Sequence, residues 1–535
     1  MTSSPRLSTS KLSRSSNLAN SYRESGQWLA VVLFLVLLIH GATLGLTDDE
    51  AYYWVLAQKP ALGYAFHPPA VAWTVALFQK LTGGSLPRLP AALFSGWICA
   101  MGIHWMKIAQ ATPGGRKSFD SVRGGRVLVA FAGLFAASWM IVPDLPLFLG
   151  WMLLFVSSWN FCSRQSSSSS LDYAGLVGGS FLLLLSKYSG VLAIGSAGLA
   201  ILLWADRKDR MKACLAIVAG TFAALVPVLV WNSQHEWASL LYQIRDRHGG
   251  ASFSAIRYLR FWLIQLVFAG PALVFFFVRF LPSFWRPQAA LRSKFVLLWI
   301  APAFMVFCTQ PAWSDFKAHW ALVVWLPLFL EFGAQAGAHA GPYGSPESNA
   351  PVSSEDASVR KWGRAQTAYG LTLLCAALLF CQFPAISWVM EKTTGKVPDP
   401  RWDVGNDMFG WSQLARFIKA HPQYESYPVL GSRYQTAAQA AYALRDQPDN
   451  PVSFIPRDLK QKDEWPMLNV TSSDGPDWPS LKRSVLFVGD QRYDAGPEFK
   501  DADCKRISSV STLRSHYIAK KILIWECRPK PLPKS

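Results

Sequence analysis

Charge is what this sequence has least of. Lys, Arg, Asp and Glu together make up 16% of the chain, against about 25% in an ordinary soluble domain, and the shortfall falls in the first three quarters. One large water-soluble core is thereby excluded, because the apolar surface of that region needs lipid around it. Acid is the scarcer sign, 34 residues against 52 basic ones, and such a surplus can mark nucleic-acid binding. No basic stripe interleaved with exposed aromatics is present, as a single-strand binder would need. The eight cysteines include no CxxC pair and no metal-type spacing, which argues against a zinc module. Six of them lie in apolar runs, where a small, weakly polar side chain packs easily. Internal repeats are also missing, which counts against a transporter built from repeated halves.

Long apolar runs fill the space that charge leaves. The first, Trp28 to Leu46, has no small-x-small cleavage site after it and is long enough to span, so a retained helix is expected rather than a signal peptide. Further spans are expected at about 88–110, 127–143, 145–162, 172–186, 188–204, 213–231, 258–280, 294–310, 318–333 and 366–390, eleven in all. Basic clusters at Arg6 to Arg23, Arg116 to Arg126, Arg164, Arg207 to Lys212, Arg279 to Lys294 and Arg360 to Arg364 all fall on one side. The opposite loops hold far fewer: Lys59, Lys80, Lys187, Arg245, Arg247, Arg257 and Lys317. Positive charge stays inside, so the N-terminus is expected in the cytoplasm and the tail in the periplasm of a bacterial inner membrane.

The expected organisation is a Ser-rich cytoplasmic segment at 1–26, a membrane domain at 27–390 and a small α/β domain at 391–535. Outer loops at 47–87 and 232–257, a five-serine run at 166–170 and a linker within 334–365 punctuate the membrane domain. In the tail, 434–444 reads as a helix, and 484–490 and 520–527 read as strands. Its two cysteines, Cys504 and Cys527, either bridge in an oxidising compartment or stand as independent thiols.

The loop after the first span begins Thr47-Asp48-Asp49-Glu50 and runs through an aromatic stretch to His67-Pro68-Pro69. A partly desolvated carboxylate at a membrane surface can serve as a general base. Equally, three acids can simply start a helix whose aromatics sit at headgroup level. Asp144, held between prolines at a span boundary, is either functional or a helix cap. Lys187 is the lone charge between two apolar runs, so it either meets an anion or snorkels to the interface. Arg245, Arg247 and Arg257 are further cations for a phosphate. His67, His235 and His319 fall on the same side without metal-ligand spacing, so no cofactor or metal is assigned.

In order along the chain stand DEAYYW, GYAFHPPAVAW, PDLPL, LSKYSGVL, WNSQHEWASLLYQIR, KAHW and RYQTAAQAAYAL. This set resembles the bacterial protein O-mannosyltransferase and aminoarabinose transferase family, membrane glycosyltransferases of the GT-C fold. The resemblance covers roughly 45–330 and one helix of the tail. It implies a polytopic helical protein that moves a sugar from a polyprenyl-phosphate carrier to a periplasmic acceptor, such as a lipopolysaccharide component, with inversion. It also implies Asp49 as catalytic aspartate, Glu50 as supporting acid and Asp144 as a functional acid. Lys187, Arg245, Arg247 and Lys317 then stand near the phosphate, and His67, His235, His319 and Trp320 shape the pocket. Relatives carry an acid just before HPP, where Ala65 and Phe66 stand here, so the usual sugar contact at that point is absent. The rival expectation is a transporter or lipid flippase without transferase activity.

Overall fold

The structure, a computed structural model, describes residues 26–112, 115–116, 119–163, 169–246, 252–285, 290–314, 316–338, 354–447, 452–454, 484–491 and 502–530. The segment 1–25, most of the serine run, the centre of the 334–365 linker and Arg247 lie outside the described residues.

Among the described residues, six helices are long and apolar enough to cross a membrane: Leu89–Gln110, Asp144–Cys162, Arg207–Gln234, Leu291–Ala312, Ala318–Gly337 and Ala357–Gln382. Trp28–Ala42, Ser170–Ser186 and Tyr188–Trp204 are shorter apolar helices. Helix Arg207–Gln234 leaves Leu215, Val218 and Phe222 exposed along its length, an apolar face with no protein against it that only lipid can cover. The expected span at 258–280 is broken by a 105° bend between Ala255–Ala269 and Pro271–Phe280. Gly270 makes that bend at φ +55, where a Cβ would also collide with the Tyr369 ring.

The expected span at 127–143 is not one helix. Ser121–Val129 and Ala132–Phe135 are separate short helices, and the chain then runs on through irregular backbone to Asp144. A broken helix inside a bilayer must have its freed backbone groups paired again. Buried Gln366 of the last span does this at both breaks. Its Nε2 donates to Ala130 O (3.0 Å) and its Oε1 accepts from Ala272 N (3.0 Å).

Anchors at the helix ends sort the bundle into two ends. Arg88, just before Leu89–Gln110, bonds to Gly41 O, in the last turn of the first helix. The last span arrives at the same end, where Gln382 Nε2 donates to Thr43 Oγ1 (2.6 Å). At the other end Gly26 packs on Ser121, and Asp120 N donates to Gly337 O (2.8 Å). The stretch 120–144 thus runs from one end of the bundle to the other, as a span would, but in pieces.

The tail forms a small mixed sheet. Its strands are β1 (Val429–Gly431), β2 (Val452–Phe454), β3 (Val485–Asp490), β4 (Ala502–Arg514) and β5 (Tyr517–Pro529), in the order β2-β1-β3-β5-β4. β1 pairs in parallel with β2 and β3; β5 pairs antiparallel with β3 and β4. The expected helix is Tyr434–Ala443. Cys504 and Cys527 face each other in the β4–β5 register and form a disulfide. Arg514, at the β4–β5 turn, pairs with Asp403 (3.1 Å) and donates to Phe380 O and Cys381 O at the end of the last span. That clamp fixes the domain on the Arg88 end of the bundle.

Candidate active site

Thr47 opens the helix Asp48–Gln58 with a capping box: its hydroxyl accepts from Glu50 N, and Glu50 Oε2 accepts from Thr47 N (3.0 Å). Glu50 is 1% exposed, and its carboxylate is filled by further donors. Arg88 Nε reaches Oε1 at 2.8 Å, Arg88 Nη2 reaches Oε2 at 2.5 Å, and Ile141 N reaches Oε1 at 3.0 Å. Arg88 spends its remaining donors on Gly41 O, Leu44 O and Gly45 O and lies 4.5 Å over the Trp139 ring. A buried pair with every donor and acceptor used is rigid, and removal of one partner is costly. Glu50 therefore fixes the helix start.

Asp48 is tied from the other side. Gln439, in helix Tyr434–Ala443, donates to Asp48 Oδ1 (3.1 Å) and Leu46 O (2.9 Å). Apolar residues of both helices share one core with the sheet, including Ala51, Val55, Ala437, Ala441 and Ile524. Tyr52 and Tyr53 are buried there, with Tyr52 edge-on to Tyr434 at 5.2 Å. The aromatics of this helix are thus covered by protein and do not form a headgroup belt.

Asp49, between these two anchored acids, is exposed. Enough protein still surrounds it that burial raises its carboxyl above the usual range, and the charge of Asp48 adds to the rise; Lys317 opposes it. Asp144 lies within electrostatic reach.

Asp144 starts the helix Asp144–Cys162. Its Oδ1 accepts from Lys187 Nζ at 2.7 Å, so the carboxylate is turned to a cation. Lys187 occupies an extended break (φ −153, ψ 143) between Ser170–Ser186 and the turn Tyr188–Gly190, which lets it reach across. Its expected solitude is corrected: Asp144 is its partner, brought over by packing of adjacent spans. Lys187 Nζ also lies 5.8 Å from the Trp320 ring centroid. His67 and His319 are within electrostatic reach of Asp144. Beside this group lies a cavity of about 210 Å³ lined by His67, Asp144, Lys187, Tyr188, Gln243 and Trp320, with Phe307 and Phe316 on its apolar side. Asp49 sits beside this cavity and not in its wall.

Asp49, His67, Asp144, Lys187, Lys317, His319 and Trp320 are thus gathered in one place from five separate segments. His235 is engaged elsewhere, stacked on Trp231 at 4.1 Å with its Nδ1 2.7 Å from Trp231 O. Arg257 bonds to Pro311 O and Ala312 O. Arg245 lies in the helix Tyr242–Asp246 with its side chain outside the described residues. Among the described residues no group of three His, Cys, Asp or Glu is placed to hold a metal ion.

Arg88 and Gln439 were missed in the sequence. A lone arginine at the head of an apolar span carries a usable signal, since an ionisable group there needs a partner. Gln439 carries none, because an amide in a helix face reads as solvated. Gln243 was also missed; its Nε2 donates to Phe66 O (2.9 Å) and ties the 242–246 helix to the HPP segment.

No protein-family profile matches the chain. It is 24% identical over 325 residues to the lipid A galacturonosyltransferase RgtD of Rhizobium johnstonii, a match covering 57% of this chain and 65% of that protein, just under two thirds of its length. ArnT from Cupriavidus metallidurans bound to undecaprenyl phosphate superposes with a TM-score of 0.57 at 12% identity, over 93% of this chain and 97% of that one. Its apo state gives 0.58 over 95% and 98%. Two solved states thus agree with this chain over nearly its whole length, tail domain included.

Proposed function

Starting from a polytopic membrane protein of the GT-C glycosyltransferase fold, related to ArnT and RgtD, we propose that it transfers a sugar from a polyprenyl-phosphate carrier to lipid A with inversion. The observation that carries this is the charge cluster: a carboxylate of raised pKa, Asp49, beside a cavity whose wall holds the Lys187–Asp144 pair. The sequence relative acts on lipid A, and the structural relative was solved with undecaprenyl phosphate.

Asp49 takes the proton of the acceptor hydroxyl as that oxygen bonds to the anomeric carbon. The carbon–oxygen bond to the carrier breaks on the opposite face, and its electron pair leaves on the phosphate. The donor phosphodiester carries one negative charge, and the departing monoester gains a second, so stabilisation must grow along the reaction. Lys187 and Lys317 supply positive charge, His319 stands with them as a ring N–H donor, and Asp144 holds Lys187 in place before the donor arrives. Trp320 and His67 bound the sugar. Glu50 supports through Arg88, by fixing the helix that presents Asp49. Arg245 and Arg247 of the 232–257 loop are assigned to the carrier, and His235, stacked on Trp231, shapes the start of that loop.

The site and the tail face the periplasm of a bacterial inner membrane, with the N-terminus cytoplasmic. Nucleotide sugars are confined to the cytoplasm, so a lipid-carried donor is the consistent chemistry there. The domains are the N-terminal segment 1–26, the membrane domain 27–390 and the tail 391–535.

Purified full-length protein given a radiolabelled polyprenyl-phosphate sugar should move label into lipid A. Asp49→Asn should slow this by about a hundredfold or more, as loss of a general base does. Label that stays on the carrier with lipid A and with every other envelope lipid offered would remove the transferase reading.

A further inference from the structure

At the opposite end of the bundle is a second cavity, of about 790 Å³, between the short helix Ser121–Val129 and the start of the last span. Arg123, Arg126, Arg360 and Arg364 line it, with Asp120 as the one acid among its described lining residues. The spacings of three and four residues put each arginine pair on one face of its helix. Its position is fixed by Asp120 N on Gly337 O, at the far end of the helix that begins beside Trp320.

Three of these arginines, Arg123, Arg126 and Arg364, keep side-chain donors that the described residues do not use. Arg123 lies 3.5 Å from Asp120, yet its Nη1 is buried with no hydrogen-bond partner among the described residues. The side chains of Arg126 and Arg364 make no hydrogen bond or ion pair among the described residues. The buried, unpartnered nitrogen of Arg123 calls for an acceptor, and exposed Arg126 and Arg364 beside it favour one that is anionic. The lining then continues along the span past Gly363 to uncharged Thr367 and Ala368, toward the membrane interior. Cations at the rim and small uncharged residues below suit a molecule with an anionic head and an apolar body, which a free anion lacks.

We propose that this cavity binds the phosphate headgroup of an anionic phospholipid from the leaflet at that end, a site separate from the Asp49 cavity. Basic pockets between membrane helices take such headgroups. Its occupancy braces Ser121–Val129, part of the broken crossing, against the last span.

Full-length protein, purified in detergent and stripped of lipid, would be titrated with phosphatidylglycerol, phosphatidylcholine and inorganic phosphate, with bound lipid counted by native mass spectrometry. Phosphatidylglycerol should bind saturably and phosphatidylcholine about tenfold or more weaker. The double variant Arg126→Gln/Arg364→Gln should weaken phosphatidylglycerol by about thirtyfold, two cations being lost, and Arg126→Lys/Arg364→Lys should keep most of the binding. Melting temperatures of the lipid-free proteins separate lost binding from lost folding. Equal binding of the two lipids, full binding by a folded Gln variant, or displacement of phosphatidylglycerol by equimolar inorganic phosphate would each overturn the proposal.

Discussion

The two cavities handle charge in opposite ways. Beside Asp49 the buried Arg88 and the half-buried Lys187 are already matched, with Glu50 and Asp144. At the far cavity, Arg123, Arg126 and Arg364 face Asp120 as the one acid among its described lining residues. A matched site costs little to keep dry and empty, and it responds to charge that develops during a reaction. An unmatched site is satisfied only by a resident anion. The contrast separates a place for turnover from a place for a standing ligand.

The sharpest way to test it is to ask which compartment each cavity faces. An alkaline phosphatase fused after residue 535 should be active and one fused near residue 350 silent, an all-or-none difference. The reverse pattern would put the Asp49 cavity in the cytoplasm and remove the need for a lipid-carried donor.

Next comes stability. Arg88→Ala strands Glu50, a buried carboxylate, and should cost about 3–5 kcal/mol. Arg126→Ala strands nothing among the described residues and should change stability by about 0.5 kcal/mol or less. Denaturation in lipid-free detergent measures both, and equal losses would erase the distinction between matched and unmatched ends.

A smaller effect is expected at Lys187. Lys187→Ala should lower transfer by about tenfold to a hundredfold, while Lys59→Ala and Lys80→Ala, exposed or partly exposed on the same end, should leave it near normal. Lys187→Arg should recover part of the loss, since a planar fork replaces a point charge. If Asp144→Asn restores the Lys187→Ala variant, the pair matters to the fold alone.

The smallest effect concerns pH. Asp49 must be ionised to accept a proton, and its pKa is raised, first by burial and then by Asp48. Transfer should therefore fall as pH drops through a value above the usual carboxylate range. Asp48→Asn removes one like charge and keeps an acceptor for Gln439, so the acidic limb should move to lower pH. A limb that stays in place assigns it to another group.

Much of this was legible in one dimension. The runs of apolar residues located the crossings, and the tail's helix and two of its strands stood where periodicity put them. The reading failed at 127–143, where the hydropathy is that of a span but the helix breaks. Only Gln366, far along the chain, makes that break tolerable by pairing Ala130 O and Ala272 N. The adjacent acids Asp48, Asp49 and Glu50 looked alike in sequence and proved to have three different surroundings.

By itself the sequence determined a membrane protein with a soluble tail, a loop rich in acids and a short set of cations able to meet a phosphate. Hydropathy and charge are properties of each residue and its near neighbours, so they survive in a linear reading. Pairing is not such a property. Glu50 meets Arg88 across 38 residues, Asp144 meets Lys187 across 43, and Gln439 reaches Asp48 across 391. Which charge is spent on the fold and which is left for chemistry depends on which helices lie side by side, and that only packing in three dimensions decided.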